Sequence, residues 1–235
     1  MQNTNMIRKL KGTFGSFIVA GAIVSATIGV TSVQADSVAV QPGSQPGSPA
    51  VLLETISQQV ITILKKDHDL LQKEPNRVYG IIDEYVLPHL DEVTMAKLAL
   101  GKNWKKATKK QKQVFVTEFK NLLVRTYSKS LLEFSDQKIK FFPVKLAAGT
   151  KKTSVKAEVI QPGGPSIPMS YRVRLKKNTW KVYDIKIDGI SLVTSYRGTF
   201  TQEVRKSGMD GLLKYMHDKN SKLVEHDETK TKTES

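Results

Sequence analysis

The sequence predicts an α+β fold in which a curved antiparallel sheet of four strands is covered by helices. Three observations lead to this prediction. Apolar residues recur at helical spacing in the first half of the chain, alternate with polar residues over 139–187, and return to helical spacing after residue 192. The connections between the alternating segments are too short for a crossover helix, which favours antiparallel pairing. Packing helices on the sheet then buries the apolar faces of both.

The composition is globular, with a strong excess of positive charge. The 235 residues include 37 Lys and Arg against 22 Asp and Glu, which gives a formal net charge of +15. The absence of cysteine excludes disulfides, thiolate nucleophiles and cysteine-ligated metals. The sequence has no glycine-rich phosphate loop, metal-binding histidine pair or nucleophile motif. We therefore expect no catalytic residues, no metal and no cofactor. Because the sequence also has no recognised nucleic-acid-binding motif, we expect no nucleic acid partner.

Residues 1–35 have the pattern of a secretory signal peptide. Three cations, Arg8, Lys9 and Lys11, precede an uncharged stretch over 17–30. Val33 and Ala35 then place small residues at the two positions that a signal peptidase recognises. An uncleaved membrane anchor is the less favoured alternative, because spanning a bilayer takes about 20 apolar residues. We expect cleavage after Ala35 and export to the periplasm.

Two segments flank the predicted domain over 51–218. Residues 36–50 contain Gln-Pro-Gly-Ser twice and predict a flexible tether. Residues 219–235 contain four Lys and four acidic residues with almost no apolar content, which predicts a solvated, disordered tail.

Three helices are predicted before the strands. The first covers Leu52 to Leu71, and the second covers about 78–86 and should end at Pro88. The third begins at Thr108, which forms the capping-box pattern with Gln111. Its broad apolar stripe consists of Phe115, Phe119, Leu122, Leu123, Tyr127, Leu131 and Phe134.

The fourth predicted strand changes phase. Trp180 and Val182 follow one alternation, whereas Ile185 and Ile187 follow the other, which predicts a bulge or strong bend. Helical spacing then returns in two segments separated by Gly208.

Many aromatic and aliphatic side chains should point inward from these elements. Such residues usually form core, but a curved sheet under helices can also enclose a ligand cavity, and periodicity does not separate the two. The candidates for cavity lining are Trp104, Phe115, Phe119, Leu122, Leu123, Tyr127, Leu131, Tyr171, Val173, Trp180, Val182, Ile185, Leu192, Tyr196 and Phe200.

Acidic residues near the last strand are weaker candidates. Asp184 and Asp188 are separated by four positions and could form a carboxylate pair. No partner residue is identifiable from spacing, so we interpret them as solvated acids at the end of a strand.

Positive charge is concentrated between Lys97 and Lys129, where ten Lys or Arg accompany one acid, Glu118. Cations at the start of a helix oppose its dipole, so helix stability does not explain them. The segment is either a solvated face or a docking surface for acidic membrane complexes or anionic headgroups. The docking candidates are Lys102, Lys105, Lys106, Lys109, Lys110 and Lys112.

Two segments carry a family resemblance. The first contains Leu-x-Leu-Gly at 98–101, Trp104, Ala107-Thr108, Gln111 and the apolar stripe that follows. The second contains Trp-Lys-Val-Tyr-Asp-Ile at 180–185, Asp-Gly-Ile-Ser-Leu-Val at 188–193, Tyr196-Arg197 and Gly-Met-Asp-Gly-Leu at 208–212. In this order they resemble the MlaC family, also called the toluene-tolerance auxiliary family.

The resemblance implies a fold related to nuclear transport factor 2 and a periplasmic phospholipid carrier. Such a carrier would shuttle glycerophospholipid between an outer-membrane lipoprotein–porin complex and an inner-membrane ABC transporter with an MCE-domain subunit, and so maintain outer-membrane lipid asymmetry. It implies binding rather than catalysis. The residues alone leave two alternatives open: a periplasmic binding module for another apolar ligand or a protein partner, and an enzyme that uses the same pocket.

Overall fold

Helices flank one antiparallel sheet in the computed structural model, which describes residues 47–133 and 137–233. The predicted signal peptide, residues 36–46 of the predicted tether, and Phe134 lie outside the described residues. The helices are α1 (Pro49–Lys66), α2 (His68–Lys73), α3 (Arg77–Ile81), α4 (Glu92–Leu100), α5 (Lys109–Leu132) and α6 (Arg197–Thr233). The strands are β1 (Lys138–Phe141), β2 (Lys152–Ile160), β3 (Ile167–Lys176), β4 (Thr179–Ile187) and β5 (Ile190–Ser191).

Each strand pairs antiparallel with the next, in the order β1-β2-β3-β4-β5. The predicted α+β class is confirmed, but the sheet has five strands rather than four. The additional strand is β5, which returns on β4 through a turn at Asp188 and Gly189, both with positive φ. A strand of two residues is too short to produce an alternating pattern, so periodicity does not reveal it.

The predicted irregularity in the fourth strand is confirmed as a bulge in β4. Arg172 pairs with Asp184, whereas the next residue of β3, Val173, pairs with Val182. Tyr183 is therefore the extra residue between the two pairs. Because of this bulge, Val182 and Ile185 share one face of the sheet.

The first helices differ in detail from the predicted ones. Helix α1 begins at Pro49, where the Ser48 hydroxyl accepts the Val51 N–H at 3.2 Å, and Ala50 is buried. The last residues of the predicted tether therefore belong to the fold. The single helix predicted to Leu71 is two helices, and the helical region after α3 continues as a π-turn over 82–86 and a 3₁₀ turn over 87–89, which includes Pro88. Helix α4 is a short helix that the periodicity did not indicate.

The capping box at the start of α5 is confirmed. The Thr108 N–H donates to Gln111 Oε1 at 3.0 Å, and the Gln111 N–H donates to Thr108 Oγ1 at 3.1 Å. The Gln111 amide also donates to Asp210 on α6 at 2.8 Å. The cap therefore links the two longest helices.

Helix α6 is broken at Gly208, as predicted, where φ is 70°. The disordered tail predicted from residue 219 is wrong for its first residues, because Asn220 is buried on α5. The Asn220 Nδ2 donates to the main-chain carbonyl of Glu118 at 3.0 Å and to Glu118 Oε2 at 2.6 Å. The main-chain carbonyl of Asn220 accepts from Arg125 Nη1 at 2.8 Å. Composition did not reveal this polar anchoring. Within residues 47–133 and 137–233, no helix has the length and apolar character needed to cross a membrane.

The two sequence segments with family resemblance meet at the end of α4. Arg197 Nε and Nη2 donate to the Leu98 carbonyl at 3.0 and 2.6 Å, which satisfies a helix-end acceptor. Gly101 has φ 60° and ψ −128°, and a Cβ there would lie 3.2 Å from Arg197 Cδ. Glycine is therefore required for both conformation and space.

Replacing Gly101 tests this contact. We expect Gly101→Ala to lower the free energy of unfolding by about 1–3 kcal/mol, because it places a side chain in a strained conformation against Arg197. Gly80→Ala is the control, since Gly80 lies in α3 with open space around it and should gain about 0.5–1 kcal/mol. Urea unfolding measures both, and equal effects would contradict the assignment.

Asp91 ties α4 to the sheet. It is 3% exposed, caps α4 by accepting from the Thr94 N–H at 3.3 Å, and accepts from Lys176 Nζ at 3.3 Å. Arg174 Nη1 of β3 lies 3.5 Å from the same carboxylate. Burial raises the pKa of Asp91, but the hydrogen bonds from Thr94 and Lys176 outweigh it, so the pKa lies below its ordinary value.

This lowered pKa predicts an acid-sensitive contribution to stability. Since the folded-state pKa of Asp91 lies below the reference value of 3.8, its stabilisation is complete above that pH and disappears as the pH falls through the folded pKa. We expect Asp91→Asn to cost about 1–3 kcal/mol at pH 7 and less at pH 3. Urea unfolding at both pH values, with exposed Glu54→Gln as control, measures this. A cost independent of pH would contradict it.

Candidate functional site

The buried apolar side chains form three clusters. The helical cluster joins α4, α5 and α6 and contains Phe115, Phe119 and Phe200. The sheet cluster joins the first turn of α1 to Val155, Val173, Trp180 and Val182. The α3 cluster joins the second half of α1 to α2 and α3, with Val60, Leu64, Leu71, Val78 and Ile82 as its buried members.

The helical cluster is close-packed core. Its aromatic rings contact one another with centroids 5.4 to 5.8 Å apart, in stacked and edge-to-face pairs. Its ring-bearing members are almost without accessible surface, so their immediate neighbours are other side chains rather than open space. The lining candidates placed in this core are Phe115, Phe119, Leu122, Tyr196 and Phe200, with Trp104 and Leu123 half-buried at its edge.

The apolar face of the sheet is continuous across all five strands. The register places on it Ile139, Phe141, Val155, Ala157, Val159, Ile167, Met169, Tyr171, Val173, Leu175, Trp180, Val182, Ile185, Ile187 and Ile190. Ala50 and Leu53 of α1 pack on one end of it, against Val173 and Val182. Towards the other end, Met169 and Ile187 are half-buried, and Ile190 is 40% exposed. The helices therefore cover only part of this face.

The three clusters are linked pairwise around a junction. Along α1, Ile56 lies between Leu53 of the sheet cluster and Val60 of the α3 cluster. Along α5, Tyr127 lies between the helical cluster and Leu131, a lining candidate that packs on the α3 cluster. Leu90 contacts both the helical and the sheet cluster. We call the apolar region between the clusters, bordered by Ile56, Leu90 and Tyr127, the junction.

Two tyrosines at the edge of this region are only half-buried. Burial raises the pKa of the Tyr171 hydroxyl on β3 to about 12, although its side chain keeps accessible surface. Tyr127 on α5 is also half-buried, and burial together with the nearby Tyr196 hydroxyl raises its pKa. Both tyrosines therefore keep accessible surface beside the apolar clusters, whereas the rings of the helical cluster do not.

The remaining lining candidates divide by burial. Val173, Trp180 and Val182 are buried in the sheet cluster, and Leu192 is 9% exposed beyond β5. Ile185 is half-buried beside Tyr171, its partner in the register. Residues such as Met169 and Ile187 share the face with them but were not among the candidates. Their strand alternation was the signal that could have identified them.

The interpretation of Asp184 as a solvated acid is wrong. Its side chain is fully buried, accepts from Ser191 Oγ at 2.6 Å, and lies 3.5 Å from Arg172 Nη1. The bulge in β4 and the return of β5 place it beneath the following turn, which sequence spacing did not show. Asp188 is exposed, on the turn between β4 and β5.

Two polar clefts lie elsewhere, one between α5 and the end of α6 and the other between α5 and residues 76–83. They have volumes of about 310 and 380 Å³ and share Asn121, Arg125 and Val224. Their walls carry Glu118, Lys120 and Asp83, so they do not offer an apolar chain a suitable environment. Across the described ranges, no group of three or more His, Asp or Glu side chains could hold a metal ion.

Five of the six docking candidates form an exposed group, which we call the α5 patch: Lys102, Lys105, Lys106, Lys109 and Lys110. No acidic residue lies in the first turn of α5. Lys112 differs, because it is half-buried with its ammonium 5.7 Å from the Trp104 ring centroid.

Comparisons with known proteins identify the same family. The family described as MlaC protein matches residues 54–218. The intermembrane phospholipid transport system binding protein MlaC of Haemophilus influenzae is 24% identical over 180 residues, 75% of this chain and 84% of that protein. Toluene tolerance protein ttg2D of Pseudomonas putida is 26% identical over 164 residues, 69% of this chain and 76% of that protein.

A solved structure shows the same fold. It is a phospholipid-binding protein from Ralstonia solanacearum in complex with a phospholipid. The two structures superpose with a TM-score of 0.69 at 30% sequence identity, over 74% of this chain and 98% of that chain.

Proposed function

Since the chain belongs to the MlaC protein family, we propose that it is a periplasmic carrier that binds a phospholipid and transfers it between membranes. The observation that carries the proposal is the apolar face of the sheet, which extends beyond its helical cover and runs into the junction. The phospholipid complex of the Ralstonia solanacearum protein supports it, because that protein shares the fold.

The energetics of acyl chains explain why transfer needs a carrier. Exposing two chains of about 15 CH₂ groups each to water costs on the order of 24 kcal/mol, at about 0.8 kcal/mol per CH₂. An apolar surface that replaces the bilayer removes this cost. Strong headgroup clamps would hinder release, so the site needs apolar side chains rather than a polar constellation.

The acyl chains are assigned to the half-buried end of the apolar face. Tyr171, Ile185 and Ile187 are half-buried there, and Tyr127 of α5 is half-buried between the helical cluster and Leu131. The close-packed rings of the helical cluster support this wall from behind. Among the lining candidates, Phe115, Phe119 and Phe200 therefore have a structural role in the proposal.

A bulky residue at the junction should exclude lipid without unfolding the protein. We expect Ile185→Trp and Ile187→Trp to lose bound two-chain phospholipid, with less than about 1.5 kcal/mol of destabilisation, because accessible sites tolerate added volume. Native mass spectrometry of protein purified from the periplasm measures the bound lipid, and urea unfolding measures stability.

Val204→Trp is the matched control, since Val204 is half-buried against the helical cluster and away from the sheet. It should keep its lipid even if it loses more stability. Wild-type protein without a two-chain lipid would contradict the carrier proposal. Full lipid occupancy in both junction variants would contradict the assignment of the acyl chains to the junction. Appearance of a lysolipid or free fatty acid would favour an enzyme instead.

The partners proposed for this carrier are the outer-membrane lipoprotein–porin complex and the MCE-domain subunit of an inner-membrane ABC transporter. Transfer between them would maintain outer-membrane lipid asymmetry. The exposed α5 patch supports docking to acidic surfaces of such complexes, since its charges face solvent and do not stabilise the helix start.

Neutralising the α5 patch tests the docking proposal. In a variant with Lys105, Lys106, Lys109 and Lys110 replaced by Gln, we expect transfer between donor and acceptor complexes to slow about 10-fold at low salt. Its lipid content should stay unchanged, and its rate should depend less on ionic strength, since screening sets in over about 10 Å at 0.1 M salt.

A distal control variant carries the same change in charge. It replaces Lys66, Lys73, Lys206 and Lys222, which are exposed on α1, α2 and α6, by Gln. Equal slowing of both variants would show a net-charge effect, and unchanged transfer in the patch variant would leave a solvated face as the better interpretation.

A further inference from the structure

The outer face of the sheet is strongly basic. The residues that alternate with the apolar face on β1 to β4 include nine cations: Lys138, Lys140, Lys152, Lys156, Arg172, Arg174, Lys176, Lys181 and Lys186. Two acids lie on the same face, the half-buried Glu158 and the buried Asp184. The sheet is therefore apolar on one side and cationic on the other.

The cations on β3 and β4 are largely occupied by structural contacts. Arg172 pairs with Asp184 at 3.5 Å, Arg174 and Lys176 pair with Asp91, and Lys181 donates to the Pro88 carbonyl. These contacts fix the sheet against α4 and the turn that precedes it. They give four of the nine cations a structural role.

The cations on β1 and β2 have no such partners. We call Lys138, Lys140, Lys152 and Lys156 the β1–β2 lysine face; all four are exposed, and none makes an ion pair within the described part of the chain. Lysine on an edge strand discourages aggregation, which would explain the two on β1. It does not explain Lys152 and Lys156, because β2 is paired on both sides.

The geometry favours a lipid surface over an acidic protein. Positions in a sheet lie about 5 Å apart across strands and about 7 Å apart along them, so the four ammonium groups spread over an area rather than converge on a point. Ser154 lies between Lys152 and Lys156, and Glu158 lies opposite Lys140 in the register. The half-buried Phe142 ring lies 5.4 Å from the Lys140 ammonium, whereas Tyr and Trp, which are enriched in protein interfaces, do not occur on β1 and β2. Lysine is also a flexible point charge that follows a fluid array of phosphates.

We propose that the β1–β2 lysine face docks the protein on anionic phospholipid surfaces. The opposite side of the same sheet carries the apolar face, so a protein docked in this way keeps its apolar face directed away from the bilayer. The inference goes beyond cargo binding and does not require it, because adsorption to a charged surface needs only the exposed lysines. It is also distinct from the α5 patch, which lies on another element.

Vesicle binding tests the proposal directly. The full mature protein is sedimented with vesicles of phosphatidylglycerol and phosphatidylethanolamine, and separately with phosphatidylcholine vesicles. We expect binding only to the anionic vesicles, weakening steeply with salt. Replacing Lys138, Lys140, Lys152 and Lys156 by Gln should lower the partition coefficient about 100-fold, whereas the distal control variant should lose less than about 3-fold.

Two results would overturn the proposal. One is no binding of the wild-type protein to anionic vesicles, and the other is an equal loss of vesicle binding in the lysine-face and distal variants. Loss of binding to an acidic partner complex in the lysine-face variant, with vesicle binding intact, would assign the face to a protein instead. Circular dichroism and bound-lipid content of the variant exclude misfolding, so a failure here stays separate from a failure of the carrier proposal.

Discussion

One packing constraint governs the molecule: the apolar face of the sheet is larger than the helical surface that covers it. Five strands place their apolar side chains on one side, and the first turn of α1 packs on one end of it. The uncovered remainder would be costly in water, at about 25 cal/mol per Å². A chain that keeps such a surface without burying it in its own core has a reason to bind an apolar ligand there.

The sheet keeps its shape through polar contacts rather than through a single core. Asp91 and Asp184 are buried acids that hold Arg174 and Arg172 from β3, and the bulge at Tyr183 turns the end of β4. Charged pairs of this kind are strongly destabilising to break, because they leave a buried charge without a partner. They anchor the strands from the outer side, which leaves the apolar side free for a ligand.

Much of the fold could be predicted from periodicity, because long helices and alternating strands have distinct spacing. The capping box at Thr108 and the phase change in β4 were read correctly for this reason. What periodicity could not supply is which apolar residues touch one another. It grouped Phe119 with Val182, whereas the structure assigns them to different clusters, and it gave no sign that Asp184 is buried or that Asn220 is anchored on α5. These features depend on tertiary contacts between distant segments.

The position of the acyl chains is tested most directly by photocrosslinking. The photoreactive amino acid p-benzoylphenylalanine is placed at Ile185 in one variant and at Val114, an exposed position on α5, in another. After expression in the periplasm and irradiation, mass spectrometry of the intact protein should show a phospholipid adduct at position 185 and none at position 114. Absence of an adduct at 185, or equal adducts at both positions, would contradict a phospholipid bound against the apolar face of the sheet.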